Sequence, residues 1–358
     1  MNQSRKLNEA VRRLFAPARR PGRLGAEVEL IPVTDCADPR PVDPATLVAG
    51  FDPAFVAAAR PTFEPGGQLE LSPAPCAGPA ALVTELHRLL GRAETIARTG
   101  GVRLELVGVN PYHGCADVPL RTPTPRYRAM QAVFDQTGED GRRMMRLTAS
   151  LQLAVDLLPG TAGRQQWLVA NLAGPALATA FDNSAGERTR IWRGLDPART
   201  GYDGRHLDPV DPVGAYLAFA AAAPRLPIPD TADAGYHLST LFPPVRPRGG
   251  YLELRYLDAQ PVHRIEGVVR TISTLLLVPA ARRAALELLL PRAADQDRAW
   301  AEAAAGCSPE TEALLAIAGT ELTAPLARSA PSAPAVRSAP AVRSAAAVRS
   351  ASVIGSVR

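Results

Sequence analysis

The feature that most constrains the fold is a strand-like stretch near the N-terminus whose two faces differ in chemistry. Side chains alternate along a strand, so Ala26, Val28 and Leu30 lie on one face, and Glu27 and Glu29 lie on the other. Two carboxylates on one face repel each other unless a positive group lies between them. The stretch therefore predicts a strand with an apolar back and an acidic front.

The same alternation recurs in three later segments, each with oxygen-bearing side chains on one face and aliphatic side chains on the other. Together with the first segment and the turn before the second, they offer Glu27, Glu29, Glu64, Gln68, Glu70, Gln152, Asp156 and Glu253. If the four segments pair into one sheet, its front is a floor of hard oxygen ligands. Such a floor suits Mg²⁺ or Mn²⁺, and especially a metal-bound nucleotide. Each carboxylate alone is more typical of a solvated sheet face, and only the set of them favours a metal site.

The charge balance gives no indication of a nucleic-acid partner. The 358 residues carry 40 Lys and Arg against 35 Asp and Glu, a formal net charge of +5. Five of these arginines follow residue 322, where there is no acidic residue, so the preceding body balances to zero. The single lysine, Lys6, excludes a phosphate-binding loop of the Gly-Lys-Ser/Thr type.

The four cysteines are scattered and match no zinc-site spacing, which is typical of a reduced, cytoplasmic protein. The N-terminus lacks an apolar signal core, and no apolar run is long enough to span a membrane. We therefore predict a cytoplasmic protein without a membrane partner.

Hydrophobic periodicity predicts an alternation of helices and strands through the body of the chain. Helices are predicted at 4–16, 79–98, 126–136, 164–181, 212–222, 262–290 and 296–318. Pro175 predicts a break within the fourth of these helices. A further strand is predicted at 102–109, and a charged turn at 138–143.

The end of the chain differs in composition from the rest. Near-exact repeats of Ser-Ala-Pro-Ala-Val-Arg follow one another without aromatic residues or a core-forming period. We therefore predict one catalytic domain over 1–322 and a disordered, basic tail over 323–358.

An arginine-rich segment near residue 190 indicates recognition of an anion. Arg188 and Arg199 lie on either side of Trp192, and arginine binds carboxylate or phosphate through planar, bidentate contacts. A solvated loop explains the same composition equally well. His237 precedes a Ser-Thr pair and could act as a base, although a hydrogen-bonded structural histidine is the simpler interpretation.

Taken together, several strings resemble the glutamate–cysteine ligases of plants and actinobacteria, in particular the actinobacterial branch that makes γ-glutamylcysteine for ergothioneine. They are GAEVE at 25–29, FEPGGQLELS at 63–72, HLSTLFP at 237–243 and YLELR at 251–255. The resemblance runs from about residue 22 to about residue 291, and the second string is highly specific. It implies an α+β, glutamine-synthetase-like fold, with a curved, mostly antiparallel sheet forming a funnel and helices packed outside.

The resemblance also implies an ATP-dependent reaction of L-glutamate with L-cysteine through a γ-glutamyl phosphate, with Mg²⁺ or Mn²⁺. The implied metal ligands are Glu27, Glu29, Glu64, Glu70, Gln152 and Glu253. The implied ATP-binding residues are Gln68, Gln152 and Arg255, and the implied substrate-binding residues are Arg126, Arg188, Trp192 and Arg199. Arg188 and Arg255 are the expected catalytic residues.

Two departures from the family keep other functions open. Ala154 stands where relatives carry a polar residue, and the connection at 223–236 is shorter than in relatives. The missing segment could line a substrate pocket. The alternatives are a carboxylate–amine ligase with another amine, and a catalytically weak relative that binds glutamate or nucleotide as a regulator.

Overall fold

The computed structural model describes residues 3–228 and 233–320, and an antiparallel β-sheet lies at its centre. The strands within these residues are β1 (Leu24–Thr34), β2 (Thr62–Phe63), β3 (Leu69–Leu71), β4 (Val102–Glu105), β5 (Leu151–Asp156), β6 (Val245–Pro247) and β7 (Tyr251–Leu254). Their order is β2-β3-β1-β5-β7-β6, and β4 pairs with the second half of β1. All six strand pairs are antiparallel.

The helices connect these strands, and several of them begin with a proline in the first turn. They are α1 (Gln3–Leu14), α2 (Pro44–Val48), α3 (Pro53–Ala59), α4 (Pro79–Thr99), α5 (Pro125–Phe134), α6 (Asp140–Leu147), α7 (Gly160–Leu172), α8 (Gly174–Ala180), α9 (Glu187–Gly194), α10 (Pro197–Thr200), α11 (Pro212–Ala222), α12 (Ala234–Ser239), α13 (Val262–Leu277), α14 (Pro279–Leu289), α15 (Gln296–Ala304) and α16 (Thr311–Ala318). Proline suits the first helical turn because its missing N–H would have no partner there.

The back of the sheet is the apolar face that the alternation predicts. Val28 on β1, Leu153 on β5 and Leu254 on β7 are all buried in one core. Helices α4 and α13 contact each other, and they cover β1 and β5 from this side. The apolar face of each strand packs into the core, and the opposite face is therefore the one that carries the polar side chains.

Several predicted elements differ from the structure in their extent. The predicted helix at 262–290 is two helices, because the chain is extended at Val278 and Pro279 begins α14. The predicted helix at 296–318 is interrupted between α15 and α16, where Gly306 has a φ of +77°. The predicted strand at 102–109 ends at Glu105. The predicted turn at 138–143 was wrong, because Asp140 begins α6.

The predicted α+β class, with a mostly antiparallel sheet and helices outside, is confirmed, as is the helix break at Pro175 between α7 and α8. No helix among the described residues combines the length and the hydropathy that crossing a bilayer requires. The predicted tail at 323–358 lies outside the described residues, so the domain boundary stays a prediction.

Candidate active site

The acidic faces of the four predicted strands lie side by side on the front of the sheet. Glu29 of β1 pairs with Glu70 of β3, and Glu27 pairs with Gln152 of β5. Glu253 of β7 lies on the same face, because β7 pairs with β5 in the alternating register. The front of the sheet is thus a continuous surface of oxygen-bearing side chains.

Three carboxylates converge at one end of this surface. One oxygen from each of Glu29, Glu64 and Glu70 lies within 4.8 Å of the other two. The Glu29 carboxylate accepts hydrogen bonds from the backbone N–H of Ser150 at 2.8 Å and from the side-chain amide of Gln152 at 3.0 Å. These donors orient Glu29 and leave further lone pairs for a ligand. We call Glu29, Glu64 and Glu70 the carboxylate triad.

The carboxylate of Glu70 is oriented by hydroxyl groups on its own side of the sheet. The Thr62 hydroxyl donates to it at 2.7 Å, and the Ser72 hydroxyl at 3.2 Å. Thr62 pairs with Glu70 across β2 and β3, and Ser72 follows β3 two residues after Glu70, so the strand register brings both hydroxyls to this ligand group.

Burial and mutual repulsion disfavour the charged forms of Glu27, Glu29 and Glu64. Burial, followed by the charges of Glu253 and Glu70, raises the pKa of Glu27 to about 7. Burial and the charge of Glu70 raise the pKa of Glu29. Burial and the charges of Glu29 and Glu70 raise the pKa of Glu64 well above its ordinary value. A divalent cation would relieve this repulsion, and carboxylate oxygens are the ligands that Mg²⁺ prefers, so the residues present fit such an ion.

The tight turn before β3 places Glu64 beside the strand carboxylates. At Gly66, a Cβ atom would lie 2.3 Å from the carbonyl oxygen of Arg146, so only glycine fits. The Gln68 side chain holds the turn in place by two hydrogen bonds. It accepts one from the Gly66 N–H at 3.0 Å and donates the other to the Thr148 carbonyl at 2.8 Å. The predicted ATP-binding residue Gln68 is therefore buried with its amide engaged by the backbone, because the turn needs those bonds.

Glu253 is held by arginines in the structure. Its carboxylate accepts from Arg246 at 2.9 and 3.0 Å, lies 3.3 Å from Arg248, and also accepts from Arg255. Although burial alone would raise the pKa of Glu253, these arginines lower it to about 2. Glu253 thus differs from the triad: it is an anion at the centre of an arginine cluster. We call Glu253, Arg246, Arg248 and Arg255 the arginine clamp.

Arg188 and Arg255 lie against the indole of Trp192. Their guanidinium carbons are 5.5 and 6.0 Å from the ring centroid, and the Arg188 side chain donates to the Arg255 carbonyl at 2.9 Å. Arg255 also donates to the side-chain oxygen of Gln152 at 2.6 Å. Within the part of the chain that is described, the Nε atoms of both arginines and the indole nitrogen are buried without a partner. The structure thus brings Arg188, Trp192, Arg255 and Gln152 together, and their roles stay predictions.

The remaining predicted residues are more dispersed. Arg126 lines the site, and its guanidinium donates to the hydroxyl and carbonyl oxygens of Ser239 at 3.0 and 2.8 Å. Arg199 is fully buried away from the site, where it contacts Asp196 at 3.0 Å. His237 is buried with its Nε2 2.8 Å from the Ala220 carbonyl, as a structural histidine would be. Arg199 therefore supports the fold and does not reach the carboxylates.

Two cavities open on this face of the sheet, and they meet at Glu27 and Gln152. The smaller has a volume of about 190 Å³ and contains the carboxylate triad, Arg126, Trp192 and Arg188. The larger has a volume of about 1290 Å³ and extends past Glu253 to the N-terminal segment. The smaller volume equals about six water molecules and suits an amino acid, whereas the larger exceeds what a drug-sized ligand needs.

Sequence reasoning assigned no role to several residues of the site. Tyr127 lines the smaller cavity, where burial raises its pKa to about 12. Asp258 is buried 3.9 Å from Arg188 and accepts from the Asn183 N–H at 2.8 Å. Arg246 lies opposite Glu253 in the β6–β7 pair. The alternation of charged and apolar residues before the Gly-Gly turn could have indicated Arg246, but no local pattern marks the other two.

Comparison with known proteins identifies relatives over most of the chain. The family model described as Glutamate-cysteine ligase family 2 (GCS2) matches residues 23–333 of the chain. The glutamate–cysteine ligase EgtA of Mycolicibacterium smegmatis is 34% identical over 78% of this chain and 74% of its own length. That of Mycobacterium tuberculosis is 31% identical over 66% of this chain and 64% of its own length.

A plant relative is more distant. The chloroplastic glutamate–cysteine ligase of Arabidopsis thaliana is 29% identical over 57% of this chain and 46% of its own length. The chain therefore spans less than half of the plant protein and slightly under two thirds of the one from M. tuberculosis.

Proposed function

The chain belongs to glutamate–cysteine ligase family 2, and we propose that it is an ATP-dependent ligase that forms γ-glutamylcysteine. The observation that carries the proposal is the row of carboxylates where the two cavities meet, with arginines lining the smaller cavity beside them. We expect the reaction to run in the cytoplasm and to supply ergothioneine or a related thiol.

The proposed reaction has two steps. A γ-carboxylate oxygen of glutamate attacks the γ-phosphorus of ATP, the bond to the bridging oxygen breaks, and ADP leaves. The cysteine amine then attacks the acyl carbon of the γ-glutamyl phosphate, a proton leaves the nitrogen, and inorganic phosphate departs as the peptide bond forms. Phosphoryl transfer of this kind needs alignment and charge neutralisation more than it needs a nucleophilic side chain.

The carboxylate triad and Glu27 are the residues that would hold magnesium. When bound, Mg²⁺ supplies charge neutralisation for the triphosphate. Ser150 and Gln152 hold Glu29 in place, and Thr62 and Ser72 hold Glu70, so these ligand groups are oriented before any substrate arrives. Glu253 acts differently in this proposal: it keeps Arg246 and Arg255 fixed beside the junction.

Arginines in the same cavity supply the positive charge. Arg255 contacts Gln152 at the junction of the cavities, so its guanidinium is close to where a γ-phosphate would meet a carboxylate. Arg188 lies deeper in the smaller cavity, against Trp192, where it suits a carboxylate of the glutamate substrate. Arg126 lines the same cavity from α5 and offers a further cation to that substrate.

A coupled assay of ADP release tests the proposal. The full chain is incubated with ATP, Mg²⁺ and glutamate, and then with cysteine or with a panel of other amines. ADP release that requires cysteine, together with γ-glutamylcysteine detected by mass spectrometry, is the expected result. ADP release with a different amine points to another carboxylate–amine ligase. Binding of glutamate and nucleotide without turnover points to a regulatory relative and contradicts the proposal.

The matched variants for this assay are Arg188→Gln and Arg193→Gln. Both arginines lie on α9, but Arg193 lines neither cavity and pairs with Asp297 at 2.9 Å. We expect Arg188→Gln to raise the KM for glutamate by about tenfold or more, because it removes a buried charge-assisted contact. Arg193→Gln should leave the KM unchanged.

A further inference from the structure

The larger cavity has a feature that the acidic floor does not explain: a rim of arginines that do not line the smaller cavity. Arg13, Arg19 and Arg20 come from the N-terminal segment, and Arg60 comes from the end of α3. We propose that these four residues, the arginine rim, bind the phosphates of a nucleoside triphosphate in the larger cavity. This inference rests on the proposed function, since it names the part of the chain that receives ATP.

The N-terminal segment is held against the sheet and forms a fixed wall of the cavity. The N–H groups of Gly249 and Gly250 donate to the carbonyl oxygens of Leu14 and Ala16 at 2.8 and 2.9 Å. The N–H of Ala18 donates to the carbonyl of Leu157 at 2.9 Å. The backbone that carries the rim is therefore positioned by the same strands that carry the carboxylates.

The rim arginines are free to bind a ligand. Most arginines near them are paired: Arg23 contacts Asp156 at 3.5 Å, and the arginine clamp surrounds Glu253. In contrast, none of the four rim arginines makes a side-chain hydrogen bond or an ion pair to another described residue. They are Arg13, Arg19, Arg20 and Arg60. Asp156 and Glu253, two of the three acids that line the larger cavity, are thus already paired with other arginines, whereas the rim arginines have no acidic partner among the described residues.

Arg60 adds an independent argument. It caps α3 in the left-handed conformation, with φ of 48° and ψ of 58°, where glycine is the residue of lowest strain. An arginine there is strained, and its side chain lines the cavity. Strained, sparsely populated backbone conformations cluster at functional sites, which agrees with a binding role for this side chain.

The two cavities divide the substrates in a consistent way. The amino-acid-sized cavity lies on one side of Glu27 and Gln152, and the larger cavity lies on the other side. A nucleotide in the larger cavity would have its phosphates between the rim and the carboxylates, with the terminal phosphate nearest the junction. The arginines of the rim would then attract the negative charge of the phosphates, which the carboxylates by themselves repel.

Equilibrium binding of nucleotides to the full chain tests the inference. Isothermal titration in the presence of Mg²⁺ compares AMP, ADP and a non-hydrolysable ATP analogue on the wild type, Arg13→Ala, Arg19→Ala/Arg20→Ala and Arg60→Gly. We expect the double variant to bind the ATP analogue about tenfold more weakly. The loss should grow from AMP to ADP to the ATP analogue, because a guanidinium on the terminal phosphates contributes nothing to a nucleotide that lacks them.

Two further variants separate binding from folding. Arg12→Ala removes an arginine from the same helix as Arg13, but Arg12 is bonded to Asn8 and does not line the cavity, so affinity should not change. Arg60→Gly should weaken the ATP analogue while its melting midpoint stays equal to or above that of the wild type. A structural role for Arg60 predicts the reverse.

The outcomes distinguish this inference from the proposed function. If the rim variants bind the ATP analogue as Arg12→Ala does, or lose AMP as strongly as ATP, the inference is overturned, whatever the ligase assay shows. If the wild type makes no γ-glutamylcysteine but the graded loss is observed, the proposed function fails and the nucleotide-binding rim stands.

Discussion

Carboxylates as close together as Glu29, Glu64 and Glu70 destabilise the metal-free protein, because burial has removed the water that would screen them. The same proximity makes them suited to a cation. If these carboxylates serve metal binding at the expense of stability, neutralising one of them should stabilise the metal-free protein and reduce activity.

Replacing Glu64 with glutamine is expected to separate stability from activity. The change removes one repelling charge at constant shape, so the free energy of unfolding without metal should rise by about 1 kcal/mol. Turnover should fall by about 100-fold or more, because a ligand group is lost. Chemical denaturation in a chelator and the ADP-release assay measure the two effects. Glu312→Gln, on the exposed face of α16, is the control and should change neither.

The raised pKa of Glu27 predicts how stability depends on pH. The group binds protons more tightly in the folded protein, with a pKa of about 7, than in the unfolded chain, where its ordinary value is 4.5. Its contribution is therefore fully present below pH 4.5 and is lost as pH rises to about 7, a change of about 3 kcal/mol. Saturating Mg²⁺ should raise the melting temperature more at pH 8 than at pH 5.5. An equal shift at both pH values would contradict a metal site at these carboxylates.

The lowered pKa of Glu253 predicts the opposite dependence. Its folded pKa is about 2, below the ordinary 4.5, so its contribution is present above pH 4.5 and is lost as pH falls toward 2. Glu253→Gln should lower the free energy of unfolding by about 3 kcal/mol at pH 7, because three arginines lose their anion. It should also abolish turnover. Urea titrations from pH 2 to pH 7 measure the stability effect, and Asp297→Asn, a surface ion pair, provides the comparison.

The different roles of Glu70 and Glu253 show what the local sequence could not reveal. Both occupy the centre of a Leu-Glu-Leu string, and both lie on the polar face that the alternation predicts. Their partners differ, since Glu70 faces the other triad members and Glu253 faces arginines. Which acid meets which base depends on the order of strands in the sheet, and that order is not written in any one segment.

At the scale of secondary structure, the period of two was the most informative signal. It identified β1, β3, β5 and β7 with their polar faces, because one slip in register would have moved every aliphatic side chain out of the core. Short helices such as α9 were not predicted, since their stability comes from tertiary packing and little from their own residues. For this reason a loop was one interpretation of the arginine-rich segment, although Arg188 and Trp192 lie on a helix.

The turn before β3 is the element on which the triad depends. Gly66→Ala would bring a methyl group within 2.3 Å of the Arg146 carbonyl, so the turn must shift and carry Glu64 with it. We expect a loss of about 2 kcal/mol or more in stability and a loss of turnover. Gly91→Ala, with open space around an exposed position in α4, should instead stabilise the protein by about 0.5 to 1 kcal/mol. Thermal melts of both variants measure the difference.

At the scale of the whole molecule, the charges are divided between two regions of the chain. The body to residue 322 is neutral overall, and within it positive and negative groups meet across the cavities. The positive excess comes from the five arginines of the repeats after that residue. Electrostatic attraction of the whole protein to anionic surfaces should therefore be a property of the repeats alone.

Truncation after Leu322 tests this division. We expect kcat, KM and the melting temperature to remain unchanged, because the sheet, both cavities and the core lie within the preceding residues. Retention on a cation-exchange resin should fall, since the net formal charge drops from +5 to zero. A full-length variant with the five tail arginines changed to alanine should elute in the same way. Because the family match extends to residue 333, truncation after Ala333 is the informative comparison. Activity present in that variant and absent after Leu322 would move the boundary of the catalytic domain into the repeats.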